Sequence, residues 1–235
     1  MLRTKLLDSR APTKAKILVW DIECSHLKAD FGTVLCIGWK WLDEKTVHCP
    51  SIMDYKGWRN DPTDDSKLIE DFYNVLCQAD ILVTFNGIRF DLKYIRTKLL
   101  EHNLNYLPRF RHVDLYQVVR HNMNTARKNL DTVSRFLKLP TEKTPVEGRV
   151  WKRAMTGHVP SLKQVIHHCK KDILVTEALY YRLRPLIQTH PPVKYVYGSC
   201  AVCGCEEFVV RGLTWNKSKG YKQKKKCSFC GTWAI

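Results

Sequence analysis

Two carboxylates one residue apart, Asp21 and Glu23, stand where an apolar run ends, with Ile17-Leu18-Val19-Trp20 preceding them unbroken. That run has the composition of a strand buried on both faces. Side chains two apart in a strand share a face, so both carboxylates project from one side of a sheet. With no Lys or Arg between them they repel unless a cation intervenes, and paired oxygen ligands suit Mg²⁺ or Mn²⁺. The plainer alternative is a strand that runs out into solvent and ends in surface charge; so short a pattern does not choose between them. A second set of ligand-type residues lies in the tail. Cys200-x-x-Cys203 and Cys227-x-x-Cys230, each pair followed by a glycine (Gly204, Gly231), have the spacing of a structural Zn²⁺ ribbon with four thiolates in tetrahedral coordination. Cys205 is a fifth thiol beside them, either a spectator or a replacement for Cys203.

The elements that must hold these groups follow from the hydrophobic pattern. Thr33 to Leu42 and Lys45 to Cys49 read as two further strands joined at Asp43-Glu44, giving an antiparallel meander with the first. After a polar loop from Asp54 to Asp65, Ser66 caps a helix that runs through Cys77 with Leu68, Ile69, Phe72, Val75 and Leu76 on one side. Ile81 to Phe85 is a short buried strand entering the turn Asn86-Gly87-Ile88-Arg89-Phe90-Asp91, and a helix follows from Leu92 to His102. Asp91 therefore falls near a strand's carboxyl end, where α/β proteins gather their ligands, although Asp is equally a favoured helix cap. Gly87 supplies a turn and Phe90 reads as core as readily as it reads as a substrate contact. Arg111 to Leu115 is another short strand, with Asp114 near its end, and Asn129 to Leu139 is helical up to Pro140. Residues 141–160, rich in turn formers and charge, are expected to cross the surface near the active face. The last helix, Ser161 to Leu186, is capped by Ser161 after Pro160 and carries His167, His168 and Asp172.

Composition narrows the class. A formal net charge of +16 on 235 residues calls for a polyanionic partner, most simply nucleic acid. No stretch approaches the roughly 20 apolar residues of a membrane span, and the basic residues 1–15 lack the apolar core of a secretion signal, so they read as a lead-in. Cys24, Cys36, Cys49, Cys77 and Cys169 are scattered singly and the other five cysteines crowd into the tail. That usage fits a reducing compartment and a metal site, hence the cytoplasm.

Asp21-x-Glu23, the Asn86…Phe90-Asp91 turn and the His167-His168…Asp172 helix match, in order and spacing, three motifs of the DEDD (DnaQ-like) 3′–5′ exonucleases, which the chain resembles over roughly residues 16 to 187. The resemblance implies an α/β, ribonuclease H-like fold: a mixed sheet flanked by helices in a domain of residues 16–190, followed by a small β zinc ribbon at 195–235. It also implies hydrolysis of a phosphodiester with two Mg²⁺ or Mn²⁺ ions held by Asp21, Glu23, Asp91 and Asp172. Phage-encoded and DNA polymerase-associated members are the most similar, so the cytoplasm would be that of a bacterial host were the chain phage-encoded. The chemistry asks for these residue types. A phosphodiester is anionic and resists hydroxide; two cations about 3.5–4 Å apart hold it, activate water and stabilise the leaving oxygen. A His meets the need for a general base with a pKa near neutrality.

The chain departs from both usual patterns of that family. The His-type subgroup has its base five residues before the last Asp, at His167; the Tyr-type subgroup has a Tyr four residues before, where this chain has His168. The two are about 100° apart on a helix, and His168, one turn before Asp172, shares its face, so His168 is favoured. By the same resemblance the Asn86 side chain lies beside the terminal nucleotide, and Asp114 is structural rather than a ligand. Between the tail's cysteine pairs, RGLTWNKSKGYKQKKK is basic and carries Trp215 and Tyr221, a composition that tracks phosphates and stacks bases. Aromatics covering a small zinc core, or a protein-docking ribbon, are the alternatives.

These readings lead to a two-metal 3′–5′ exonuclease on single-stranded ends, DNA favoured over RNA by resemblance, with a ribbon that aids binding. Further partners in view are a polymerase or a replication or repair protein, and no membrane. A ribonuclease or structure-specific endonuclease on the same fold is the nearer rival, and a non-catalytic nucleic-acid-binding adaptor the more distant one.

Overall fold

The computed structural model describes residues 15–234 apart from 43, 140–145, 188, 192, 194–198, 201–203 and 219. It divides into a unit spanning Lys16–Leu183 and a second formed by the described residues from Arg184 onward. The first strand, β1 (Ile17–Cys24), is central to the larger unit, and its Leu18, Val19 and Trp20 have no exposed surface. It pairs antiparallel with β2 (Val34–Trp41) and parallel with β3 (Ile81–Thr84), which pairs parallel with β4 (Arg111–Asp114); the order is β2-β1-β3-β4. Continuous apolar runs are what a sheet covered on both sides requires.

The two faces carry different helices. On one, the Trp20 ring lies 5.2 Å from Phe72 of α1 (Ser66–Leu76), and Trp39 of β2 approaches the same ring at 5.5 Å. On the other lies α6 (Val159–Leu183), whose Leu162, Val165, Cys169 and Ile173 are fully buried. Gly38 of β2 is the point of closest approach: a Cβ there would stand 2.7 Å from the Cys169 Sγ and 2.9 Å from Ile173 Cγ1. Lys40 of β2, almost fully buried, pairs with Glu177 one turn further along the helix. Asp21 is opposite Gly38 and Glu23 opposite Cys36 in the β1–β2 ladder, so both carboxylates belong to the α6 face.

Several elements depart from the sequence reading. Lys45 to Cys49 does not form a strand; it meets β2 at an isolated bridge, Trp39 to His48, with a second just beyond it, Cys36 to Ser51. Pro50 has no N–H to extend the ladder, although its carbonyl accepts from Ile37 N at 3.1 Å. Asp65, not Ser66, occupies the cap position of α1. Its buried carboxylate accepts from Val34 N at 2.7 Å and also meets His102 Nε2 at 2.6 Å and Lys98 Nζ at 3.4 Å, fastening β2 and α1 to α2 (Asp91–Glu101). Leu115–Asn122 forms α3, capped by Asp114, and α4 (Leu130–Phe136) is capped by Asn129, whose Oδ1 accepts from Thr132 N at 2.9 Å. In the stretch expected as surface loop, Gly148–Met155 forms α5, with Ala154 buried; Pro140 and residues 141–145 lie outside the described residues. Helix α6 begins before Ser161, with Leu162 N bonding His158 O at 3.0 Å, because Pro160 in the first turn needs no N–H partner. It gives way to a 3-10 turn at Arg184–Leu186.

The second unit is a three-stranded antiparallel sheet, β5 (Phe208–Asn216), β6 (Gly220–Cys227) and β7 (Trp233–Ala234), in that order. Its core is the cluster of Cys200, Cys227 and Cys230, with Phe208 packed against it. No described helix is long and apolar enough to cross a membrane.

Candidate active site

Three elements converge on one pocket of negative charge. Strand β1 supplies Asp21 and Glu23, the first turn of α2 supplies Asp91, and α6 supplies Asp172. The turn after β3 aims Asp91. Gly87 is required there because a Cβ would stand 2.4 Å from Thr84 Oγ1, and the Gly87 N–H donates to that hydroxyl at 3.2 Å. Asn86 sits at φ 69°, a conformation Asn tolerates better than most residues. Asp114, 4% exposed, accepts from Asn86 N at 2.8 Å, Ile88 N at 3.1 Å and Tyr116 N at 3.0 Å. It braces the turn and takes no place among the ligands. Asp91 does not cap its helix; its Oδ1 reaches across to accept from Ile22 N at 3.2 Å, between the two β1 carboxylates.

Electrostatics identify what this cluster could hold. Burial, then the charges of Asp91, Glu23 and Asp172, hold the Asp21 carboxyl well above the usual carboxylate range, and Asp21 also hydrogen-bonds Asp91. Burial likewise lifts Asp91 to about 6, against the bonds it accepts from the backbone. An all-oxygen donor set whose members oppose one another's ionisation fits hard divalent cations such as Mg²⁺ or Mn²⁺.

The two histidines separate as the helix geometry requires. His168 is nearly buried, its Nε2 3.8 Å from both Glu23 Oε1 and Asp172 Oδ2, and Glu23, His168 and Asp172 form a potential ligand group. The Trp151 ring of α5 stands edge-on to the His168 ring, with centroids 6.3 Å apart. His167 is exposed and shares with His168 the lining of a groove of about 770 Å³, where Arg149 and Arg153 of α5 and Lys163 of α6 also lie. The groove residues escaped the sequence reading because 141–160 reads as loop; the spacing of Val150, Trp151 and Ala154 was the available sign of a helix. Phe90 is half-buried against the core, 5.8 Å from the Tyr94 ring.

In the second unit, the thiols of Cys200, Cys227 and Cys230 lie within 4.8 Å of one another, while Cys203 is outside the described residues. Gly204 N bonds Cys200 O at 2.8 Å and Gly231 N bonds Cys227 O at 3.0 Å, both glycines having positive φ. The three gathered thiols can take part in a thiolate metal site. Cys205 instead contacts Glu207 O and Ser228 Oγ, each at 3.8 Å. Trp215 and Tyr221 are cross-strand partners on β5 and β6, 60% and 75% exposed, so they do not cover the cysteine core.

A family model of the RNase H superfamily matches residues 18–184, and the chain belongs to that superfamily; its mixed sheet with helices on both faces is the corresponding fold. Among solved structures, it is similar to the family B DNA polymerase from the hyperthermophilic archaeon Pyrobaculum calidifontis, at 19% identity and a TM-score of 0.59. The match covers 76% of this chain but 26% of the polymerase, so the likeness is to a part of that enzyme. No curated protein sequence matches the chain.

Proposed function

We propose that the protein is a metal-dependent 3′–5′ exonuclease acting on single-stranded nucleic acid, DNA in preference to RNA. The observation that carries this reading is the meeting of Asp21, Glu23, Asp91 and Asp172 from three elements, with His168 Nε2 3.8 Å from two of them. Asp21, Glu23, Asp91 and Asp172 would hold two Mg²⁺ or Mn²⁺ ions, which supply Lewis-acid activation of water and charge stabilisation at the phosphate. His168, held against the Trp151 edge with its Nε2 3.8 Å from Glu23 Oε1 and Asp172 Oδ2, takes the proton from the attacking water. Arg149, Arg153, Lys163 and His167 line the path of the strand leading to the site, and Asn86 and Phe90 contact its terminal nucleotide. Cys200, Cys203, Cys227 and Cys230 hold one structural Zn²⁺. The ribbon's Trp215 and Tyr221 stack on bases while its lysines track phosphates. The scattered reduced thiols fit work in the cytoplasm, and the polymerase likeness fits service beside replication or repair proteins.

A time course on end-labelled single-stranded DNA and RNA, with Mn²⁺ or with EDTA, tests this. A ladder of single-nucleotide steps from the 3′ end, abolished by EDTA and faster on DNA, is expected. Internal cuts would make the protein an endonuclease, faster cleavage of RNA a ribonuclease, and tight binding without cleavage an adaptor.

A further inference from the structure

One cluster takes no part in the proposed hydrolysis. Cys36 of β2, Cys49 in the segment bridged to β2, and Cys169 of α6 bring their sulfurs within 4.8 Å of one another, although 133 positions separate the first and last in sequence. Cys36 and Cys169 have no exposed surface. The register explains the convergence. Cys36 and Gly38 face α6 from alternate positions of β2, and the bridges of Trp39 to His48 and Cys36 to Ser51 place Cys49 alongside Gly38. Gly38 has no side chain, and the Cys169 sulfur occupies the space a Cβ would need, 2.7 Å away. The cavity that glycine leaves is filled by sulfur.

We propose that Cys36, Cys49 and Cys169 form a three-thiolate site for a soft monovalent d¹⁰ cation, Cu(I), behind the carboxylate cluster. The cluster has the size for it. Metal–sulfur bonds of about 2.3 Å in a trigonal plane set the sulfurs about 4 Å apart, within the observed spread. Softness decides between the two neighbouring sites: carboxylates take hard divalent ions, and thiolates take Cu(I) or Zn²⁺. Coordination number then decides between those two. A structural Zn²⁺ calls for four ligands, and among the described residues no fourth His, Cys, Asp or Glu joins this trio. The pair Asp21 and Glu23 groups with Cys169 separately, within the site for hard ions. Occupancy ties α6 to β2 at Cys169, the residue between His168 and the turn that carries Asp172.

Anaerobic Cu(I) titration of the reduced, zinc-loaded full chain against a competing Cu(I) chelator tests the site, with copper and zinc both counted by mass spectrometry after desalting. The wild type should retain about one more equivalent of copper than Cys49→Ala, and also than Cys36→Ala, at unchanged zinc. Substitution of the exposed Cys77 by serine should change nothing. Because Cys49 is only half-buried, its alanine variant should fold; far-ultraviolet circular dichroism and unchanged zinc content establish that it has. Copper-edge X-ray absorption should show three sulfur neighbours. Equal copper in wild type and Cys49→Ala would overturn the proposal, as would copper gained only by displacing zinc from the ribbon. Loss of two hydrogens in mass without bound metal would mean a disulfide, and retention of Zn²⁺ in place of copper would reject Cu(I); either result also overturns it.

Discussion

At the scale of single residues, the carboxylate cluster is a site whose members destabilise the fold when they ionise. Asp91 is held at about 6 by burial, above the ordinary Asp value of about 3.8. Between those values the folded chain keeps a proton that the unfolded chain has released, so raising pH through this window costs stability. In EDTA, the melting temperature should therefore fall from pH 4 to pH 6 more steeply in wild type than in Asp91→Asn, as differential scanning calorimetry can measure. Asp21→Asn should melt higher than wild type in EDTA at pH 7, and Mn²⁺ should narrow the gap because it stabilises only the chain that binds it. The same variant should lose more than about 100-fold in hydrolysis, since outer-sphere partners of a metal site already cost 10–100-fold. Equal melting in EDTA would mean that Asp21 is not under electrostatic strain. His168→Ala should slow single-turnover cleavage by about 100-fold, within the usual contribution of a general base, while His167→Ala should mainly weaken substrate binding. The opposite ranking would transfer the base to His167.

At the scale of elements, Asp65 has the largest structural leverage. It joins the start of β2, the cap of α1 and the Lys98 and His102 side chains of α2 and its end, and Lys98 is itself 5% exposed. Asp65→Ala leaves a buried ammonium with only Glu101 for company and an unbonded Val34 N–H, and should destabilise the fold by about 3 kcal/mol in urea unfolding. A loss below about 1 kcal/mol would show that the network is dispensable. The legibility of elements follows from what fixes them. Strand β1 and the turn to Asp91 were readable because apolar runs and turn residues are local signals. Helix α5 was not, because in eight residues dense with Arg and Lys only a few apolar positions mark its inner face. The strand expected at Lys45 to Cys49 has strand composition, but its pairing depends on Pro50 and on the partner's register. Motif order singled out four carboxylates that the structure brings together, and the 3.6-residue turn set His168 rather than His167 on the face of Asp172. The Cys36–Cys49–Cys169 trio was invisible, since nothing in the spacing of three scattered cysteines records that a glycine on β2 admits a sulfur from α6.

For the whole molecule, a formal net charge of +16 is what would draw in a strand of phosphates. The second unit's sequence carries Arg211, Lys217, Lys219, Lys222, Lys224, Lys225 and Lys226, with Lys224 Nζ 4.4 Å from the Trp233 ring centroid. Removing the residues after Tyr195 should weaken binding to single-stranded DNA and flatten the plot of log K against log salt by about 0.7 for each phosphate that the ribbon would have neutralised. Fluorescence anisotropy across a salt series measures this. An unchanged slope would make the ribbon a protein-docking module. Double substitution of Trp215 and Tyr221 by alanine should weaken binding by about 2–6 kcal/mol with the slope intact, because stacking is uncharged; a changed slope would mean that the pair only positions the lysines.

The edge-on contact between Trp151 and His168 also gives the protein a built-in optical gauge. A protonated imidazole quenches a nearby indole more strongly than a neutral one, so Trp151 emission reports the ionisation of the imidazole beside it. The other six tryptophans contribute a background that Trp151→Phe isolates. The difference titration gives the pKa of His168 directly, without substrate or turnover. Repeating it with Mn²⁺ reads how far cations among the carboxylates move that value.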